Sequence, residues 1–192
     1  MKEIILASNS PRRRELLKKL DIEFNVVISN IEEEINSNIS PYELACNLAH
    51  QKAKDVLTKI KDKAIIIAAD TVVIHNEVLG KPKTKQEAYE MLKSLSGTTH
   101  EVVTGLVVID SYSYKEIIEY EVTKVSFREI ENEEIYRYIE TGEPMDKAGA
   151  YGIQGKASLF IEKINGDYYN VMGLPVYRLG NILKNNFNIN LL

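Results

Sequence analysis

A single cysteine, Cys46, stands in a chain of 192 residues, so no intrachain disulfide can form and stability must come from an apolar core. A chain of this length can bury such a core, as one domain or as two small lobes sharing it. Cys46 lies between Leu44 and Leu48 in a helix-like stretch, where a small buried apolar residue is the expectation. No run approaches the roughly 20 apolar residues needed to cross a bilayer. The opening residues also lack the apolar stretch and cleavage site of a secretion signal. A cytoplasmic protein without membrane contact is expected. Positive charge is scarce too: 24 Lys and Arg face 28 Asp and Glu, a net charge of −4. That balance excludes the broad basic field that long nucleic acids require, so no stable nucleic-acid complex is expected. Any anionic ligand must be met by a local positive cluster.

Other absences narrow the chemistry. His50, His75 and His100 lack metal-ligand spacing and read as structural, and no Cys-His or Gly-x-Ser-x-Gly pattern supports covalent catalysis. Gly80-Lys81-Pro82 fails as a Walker A loop, because His75 stands where the first glycine is required and Pro82 where Ser or Thr is required. No internal repeat, low-complexity tract or Gly/Pro/Ser linker divides residues 1–192. A single domain is expected, with two lobes around a cleft as its alternative form.

What the chain does contain is an alternation of helix and strand signals. Residues 4–7 read as a strand, followed by Ser10 as N-cap, Pro11 at the first helical position, and Leu16, Leu17 and Leu20 on one face. A short strand at 24–28 leads to the acidic stretch Glu32, Glu33, Glu34. Ser40-Pro41-Tyr42-Glu43 forms a capping box before a helix with Leu44, Leu48, Ala49, Ala53 and Val56 at helical spacing. Residues 64–69 are a continuous apolar run, as in a strand buried on both faces, ending at Asp70-Thr71. Thr84 and Glu87 cap another helix, which Gly97 closes. Residues 102–109 and 117–127 read as a hairpin, and Asn132 caps a helix to Glu140. Two strands, 159–164 and 168–171, flank the turn Asn165-Gly166-Asp167, and Pro175 opens a final helix. The order predicts an α/β fold with a mixed sheet.

Three constellations could carry chemistry. Ser8-Asn9-Ser10-Pro11-Arg12-Arg13-Arg14 follows a strand and opens a helix, where free N–H groups and the helix dipole favour an anion and arginines add bidentate donors. The bland alternative is a capped surface helix with solvated arginines. Asp70, beside Thr71 at a strand's carboxyl end, suits a general base or an Mg²⁺ ligand, against a simple turn aspartate. Residues 142–155 mix small residues with Asp146, Lys147, Tyr151 and Gln154, so backbone can approach a ligand while an amide and a ring read a base. A stiff glycine-rich loop is the alternative. Lys81 could touch a phosphate, although a lysine in a turn is usually just solvated.

Residues 8–17 (SNSPRRRELL), 68–73 (AADTVV), 79–82 (LGKP), 96–105 (SGTTHEVVTG), 142–155 (GEPMDKAGAYGIQG) and 166–175 (GDYYNVMGLP) together resemble the Maf family over nearly the whole chain. The resemblance implies an elongated mixed β-sheet flanked by helices, as in inosine triphosphate pyrophosphatase-like folds. It also implies a nucleoside triphosphate pyrophosphatase that needs a divalent cation, Mg²⁺ or Mn²⁺, and homodimers as a frequent assembly. Carried over by motif, Asp70 is the proton acceptor and, with Glu33, a metal ligand; Glu32 and Glu34 remain alternatives to Glu33. Arg12, Thr71 and Gln154 select the substrate, while Ser8, Arg13, Lys52 and Lys81 surround the phosphates.

The three selecting positions resemble the branch of the family that acts on dTTP and UTP, since the 7-methyl-GTP branch tends to carry Trp, Gln and Glu there. An amide at Gln154 donates and accepts, matching the adjacent carbonyl and N–H of a uracil or thymine edge, whereas a carboxylate only accepts. The rivals are hydrolysis of modified nucleotides to cleanse the pool, and a nucleotide-binding regulator of cell division. A pure binder has no use for a carboxylate such as Asp70 beside the phosphates.

Overall fold

A computed structural model describes residues 2–32 and 39–192. Strand β1 (Glu3–Leu6) leads to helix α1 (Pro11–Lys19), then β2 (Asn25–Val26), α2 (Pro41–Lys59), β3 (Ala64–His75) and β4 (Glu77–Leu79). Helix α3 (Lys85–Leu95), strands β5 (Thr99–Asp110) and β6 (Glu116–Phe127) and helix α4 (Asn132–Glu140) follow. After the 3-10 segments Glu143–Asp146, Ala148–Ala150 and Lys156–Phe160 come β7 (Ile161–Asn165), α5 (Tyr168–Val171) and α6 (Val176–Phe187). The seven strands pair in the order β2-β1-β3-β5-β6-β7, with β4 on β3. Strand β1 is parallel to β2 and β3, whereas β3–β4 and β6–β7 are antiparallel, so the sheet is mixed. Among the described residues no helix is long and apolar enough to cross a membrane.

The chain forms two compact units whose segments interleave. The first comprises Met1–Asp70, Thr104–Glu121 and Gly173–Leu192, and the second Thr71–Val103 and Val122–Met172. Strands β3, β5 and β6 each contribute to both, so the chain passes between units inside regular strands, where a linker-like composition has no place.

In the first unit, the Ser40–Glu43 box closes as its spacing requires: Glu43 N–H donates to Ser40 Oγ at 3.2 Å and Ser40 N–H to Glu43 Oε2 at 2.9 Å. Helix α2 then buries Leu44, Leu48, Ala49, Ala53 and Val56. It packs so closely that a Cβ on Gly105 would strike the α2 backbone at Ala45 and Cys46. Cys46 itself is half-buried, and its thiol donates to the Glu119 carbonyl at 3.4 Å, so it is not the apolar filler its neighbours suggest. Residues 64–69 are fully buried, each isoleucine stabilising the fold by roughly 1.5–3 kcal/mol. Strand β3, however, does not stop at Asp70-Thr71; it runs on to His75, and only its burial lapses there.

In the second unit, Thr84 Oγ1 accepts from Glu87 N–H at 3.1 Å, but the Glu87 carboxylate reaches Lys83 N–H instead of the cap's own. Helix α4 is capped one residue earlier than its sequence suggests: Glu134 Oε2 accepts from Glu131 N–H, while Asn132 Oδ1 accepts from Lys93. Residues 168–171 form a helix rather than a strand, because Asp167 Oδ1 takes up Tyr169 N–H at 2.7 Å and so acts as an N-cap. Buried Asn170 Nδ2 ties this helix to the Val102 carbonyl and Thr123 Oγ1, both at 3.0 Å.

Candidate active site

In the first unit, β1 ends just before Ser8, and the chain turns into α1 through Ser10 and Pro11. Ser8 is 7% exposed. Its Oγ accepts from Ser10 N–H and from Arg13 Nη1, both at 3.2 Å. With both lone pairs engaged, the hydroxyl still has its proton to donate. Arg13 is fixed at its other side by an Nε–H bond of 2.6 Å to the Gly173 carbonyl. That bond gives the Gly173-Leu174-Pro175 motif a role in setting the guanidinium plane. Arg14 turns away to Asn9 Oδ1 at 2.8 Å. Arg12, half-buried in the first turn of α1, has no side-chain partner among the described residues. The helix start adds N–H groups without intrahelical partners and the positive end of a dipole.

Asp70 and Lys52 meet in the same unit. Lys52, well inside α2, pairs its ammonium with Asp70 Oδ1. Their side chains are 19% and 15% exposed, so the pair is sheltered but reachable. A cation and a carboxylate are thereby set together near the end of the fully buried run of β3. The carboxylate oxygens of Asp70 are hard donors of the type Mg²⁺ and Mn²⁺ take. Glu33 and Glu34 lie outside the described residues, and Glu32 is exposed. Among the described residues no three His, Cys, Asp or Glu side chains gather as a metal cage.

Thr71, Lys81 and Gln154 belong to the second unit. Lys81 is exposed, and the neighbouring Gly80 carbonyl accepts from Gly149 N–H at 3.0 Å, which joins the Lys81 loop to the 142–155 segment. Two consecutive left-handed residues, Gly149 (φ 66) and Ala150 (φ 59), bend that segment. The alanine conformation costs roughly 1–2 kcal/mol. Gln154 sits in a turn closed by Gly155 N–H to the Gly152 carbonyl at 3.2 Å, its side chain exposed.

The entry to this turn is anchored by His100, whose sequence signal marks it only as structural. His100 Nε2 and Tyr151 Oη are 2.7 Å apart and buried, with Phe127 edge-on to both rings. Burial first, and the nearby His75 charge second, push the imidazole down to about 4. Burial raises the Tyr151 phenol above its ordinary value. Both groups are therefore neutral at physiological pH. Their pairing falls between two separate motifs, and no spacing rule links positions so far apart.

Comparison with known proteins agrees with these motifs. The profile described as "Maf-like protein" matches residues 3–186. A dTTP/UTP pyrophosphatase of Alkaliphilus oremlandii is 60% identical over 100% of both chains. One from Alkaliphilus metalliredigens is 53% identical over 100% of both. A solved HAM1 protein from Coxiella burnetii is 18% identical, covering 66% of this chain and 73% of its own with a TM-score of 0.47. The match along almost the entire sequence and the two full-length relatives show that the chain belongs to the Maf family.

Proposed function

We propose that the protein is a cytoplasmic nucleoside triphosphate pyrophosphatase that converts dTTP and UTP to the monophosphate and pyrophosphate, with residues 1–192 acting as one catalytic domain. The observation that carries this reading is the 60% identity over the full length of a dTTP/UTP pyrophosphatase. The arrangement of Ser8, Arg13, Lys52 and Asp70 supports it, because it combines phosphate donors with one carboxylate.

Asp70 accepts a proton from water as the water oxygen bonds to the α-phosphorus. The bond from that phosphorus to the α,β-bridging oxygen breaks, and pyrophosphate leaves. Ser8 donates its hydroxyl proton and the Arg13 guanidinium offers its charge to phosphate oxygens, while Lys52 exchanges part of its bond to Asp70 for one to the substrate. Lys81 serves the phosphates as a point charge. Arg12, Thr71 and Gln154 select the base. Asp70 and Glu33 would hold Mg²⁺ or Mn²⁺, which supplies charge neutralisation at the phosphates and the leaving group. A homodimer is the proposed assembly, and no nucleic acid takes part.

Hydrolysis in ¹⁸O-labelled water tests the reading. Monophosphate carrying the label, with unlabelled pyrophosphate, is the expected result. Label in the pyrophosphate would move the attack to the β-phosphorus, and diphosphate with orthophosphate would move it to the γ-phosphorus; either overturns the proposal.

A further inference from the structure

The turn that presents Gln154 is held by a carboxylate outside it, Glu143. The Tyr138 hydroxyl donates to Glu143 Oε1 at 3.0 Å. Lys156 N–H donates to Glu143 Oε2 at 3.1 Å. Hydrogen bonds thus run from Tyr138 through Glu143 to the Lys156 amide, just past Gln154 and Gly155. The carboxylate fills the place where a Cβ of Gly155 would stand, and the Lys147 side chain does the same over Gly152. A Cβ at either glycine would push the Lys147 or Glu143 side chain out of its present place. Lys147 Nζ also donates to the Glu143 carbonyl at 2.7 Å. Tyr138 is buried on α4, and its hydroxyl is raised above the ordinary phenol value by burial first and by Glu143 second.

We propose that Tyr138 and Glu143 are positioning residues that fix the Gly152–Lys156 turn so that the exposed Gln154 amide meets a pyrimidine edge in one orientation. The inference rests on the reading of Gln154 as the base-selecting residue. Neither Tyr138 nor Glu143 touches substrate; Glu143 acts through the Lys156 amide, and Tyr138 acts by orienting Glu143. Fixing the turn in advance removes an ordering cost that would otherwise fall on binding, and it does so for the base that uses both donor and acceptor.

The test measures kcat/KM for UTP and CTP with Tyr138→Phe, Glu143→Gln, Gln154→Ala and the double variant Tyr138→Phe/Gln154→Ala, together with amide hydrogen exchange at residue 156. Tyr138→Phe removes the donor that orients the Glu143 carboxylate and should speed exchange at the Lys156 amide. It should lower the UTP-to-CTP ratio roughly tenfold, acting mainly through KM. In the Gln154→Ala background, Tyr138→Phe should lower the ratio no further. Glu143→Gln is nearly isosteric and keeps one acceptor oxygen for two donors, so it should give an intermediate loss and stands in if Tyr138→Phe does not fold. Additive losses in the double variant, or faster exchange with an unchanged ratio in the single variants, would overturn the positioning role while leaving Gln154 as the selector. An unchanged ratio in Gln154→Ala would instead overturn the Gln154 reading, and the proposal with it.

Discussion

The Lys52 ammonium and the Asp70 carboxylate form an ion pair with little solvent access on either side. Helix α2 supplies the cation and strand β3 the anion, so each is set by its own rigid element. Cutting one partner leaves the other as an uncompensated charge in a sheltered place. That coupling makes the choice of substitution matter when the site is tested.

Asp70→Asn retains shape and a hydrogen-bond acceptor for Lys52 but cannot take a proton from water. The expected result is a fall in kcat of about 10² to 10⁴ with nucleotide binding by calorimetry largely intact. Near-wild-type turnover at saturating substrate and metal would remove Asp70 from the role of base.

Gln154 is exposed at the tip of its turn, so its amide is available to a base. Gln154→Glu exchanges a donor for a negative charge against a base carbonyl, and kcat/KM for UTP should fall about 10- to 100-fold. Measuring UTP, dTTP, CTP and GTP side by side decides the matter: an equal loss for all four would mean that Gln154 serves the fold or the phosphates.

Gly105 faces the α2 backbone at a distance no side chain tolerates, whereas Gly180, inside α6, has nothing within 4 Å of the place a methyl group would occupy. Gly105→Ala should destabilise the protein by about 1–3 kcal/mol. Gly180→Ala should stabilise it by about 0.5–1 kcal/mol, since alanine loses less backbone freedom in a helix. Urea unfolding of the two variants checks both signs, and a neutral Gly105→Ala would contradict the close packing.

His100 predicts a pH dependence of stability. Its folded value is held near 4, below the ordinary 6.5, because burial disfavours the charged ring. Between those values the unfolded chain binds a proton that the folded chain does not. Stability therefore falls as pH drops from 6.5 to about 4, by on the order of 3 kcal/mol in total, and this contribution is flat above 6.5. Burial pushes the Asp110 carboxyl up, but the Lys2 and Ser113 side chains and Tyr112 N–H outweigh it and hold the group at about 2, so its contribution is given up only at lower pH. Unfolding midpoints at pH 7.5, 6 and 5 should show a slope in the wild type that His100→Gln largely abolishes, whatever the variant's stability at pH 7.5. Identical slopes would refute the assignment.

Much of this fold is legible where the signal is local. Ser10-Pro11 and Ser40-Pro41-Tyr42-Glu43 specify helix starts through bonds within four residues, and both form. Signals that conflate two properties mislead. The apolar run ending at Ala69 reports where burial lapses, and β3 continues because ladder hydrogen bonds do not depend on side-chain polarity. Asn165-Gly166-Asp167 reports a turn, but whether Asp167 closes a hairpin or caps a helix depends on which N–H it finds. The proposed site residues come from resemblance alone, whereas the pairing of Lys52 with Asp70 is a contact that their spacing in sequence does not announce. The Tyr138–Glu143 pair is not readable, since the amide it holds, Lys156 N–H, belongs to the main chain and leaves no mark in residue identity.

The interleaved course of the chain bears on how such an enzyme can diversify. The chain leaves one unit for the other at Asp70–Thr71, Val103–Thr104, Glu121–Val122 and Met172–Gly173. A single crossover before Met172 therefore exchanges parts of both units at once. A library built by random crossover should accordingly yield fewer folded chimeras than one that varies residues 138, 143 and 154 in place.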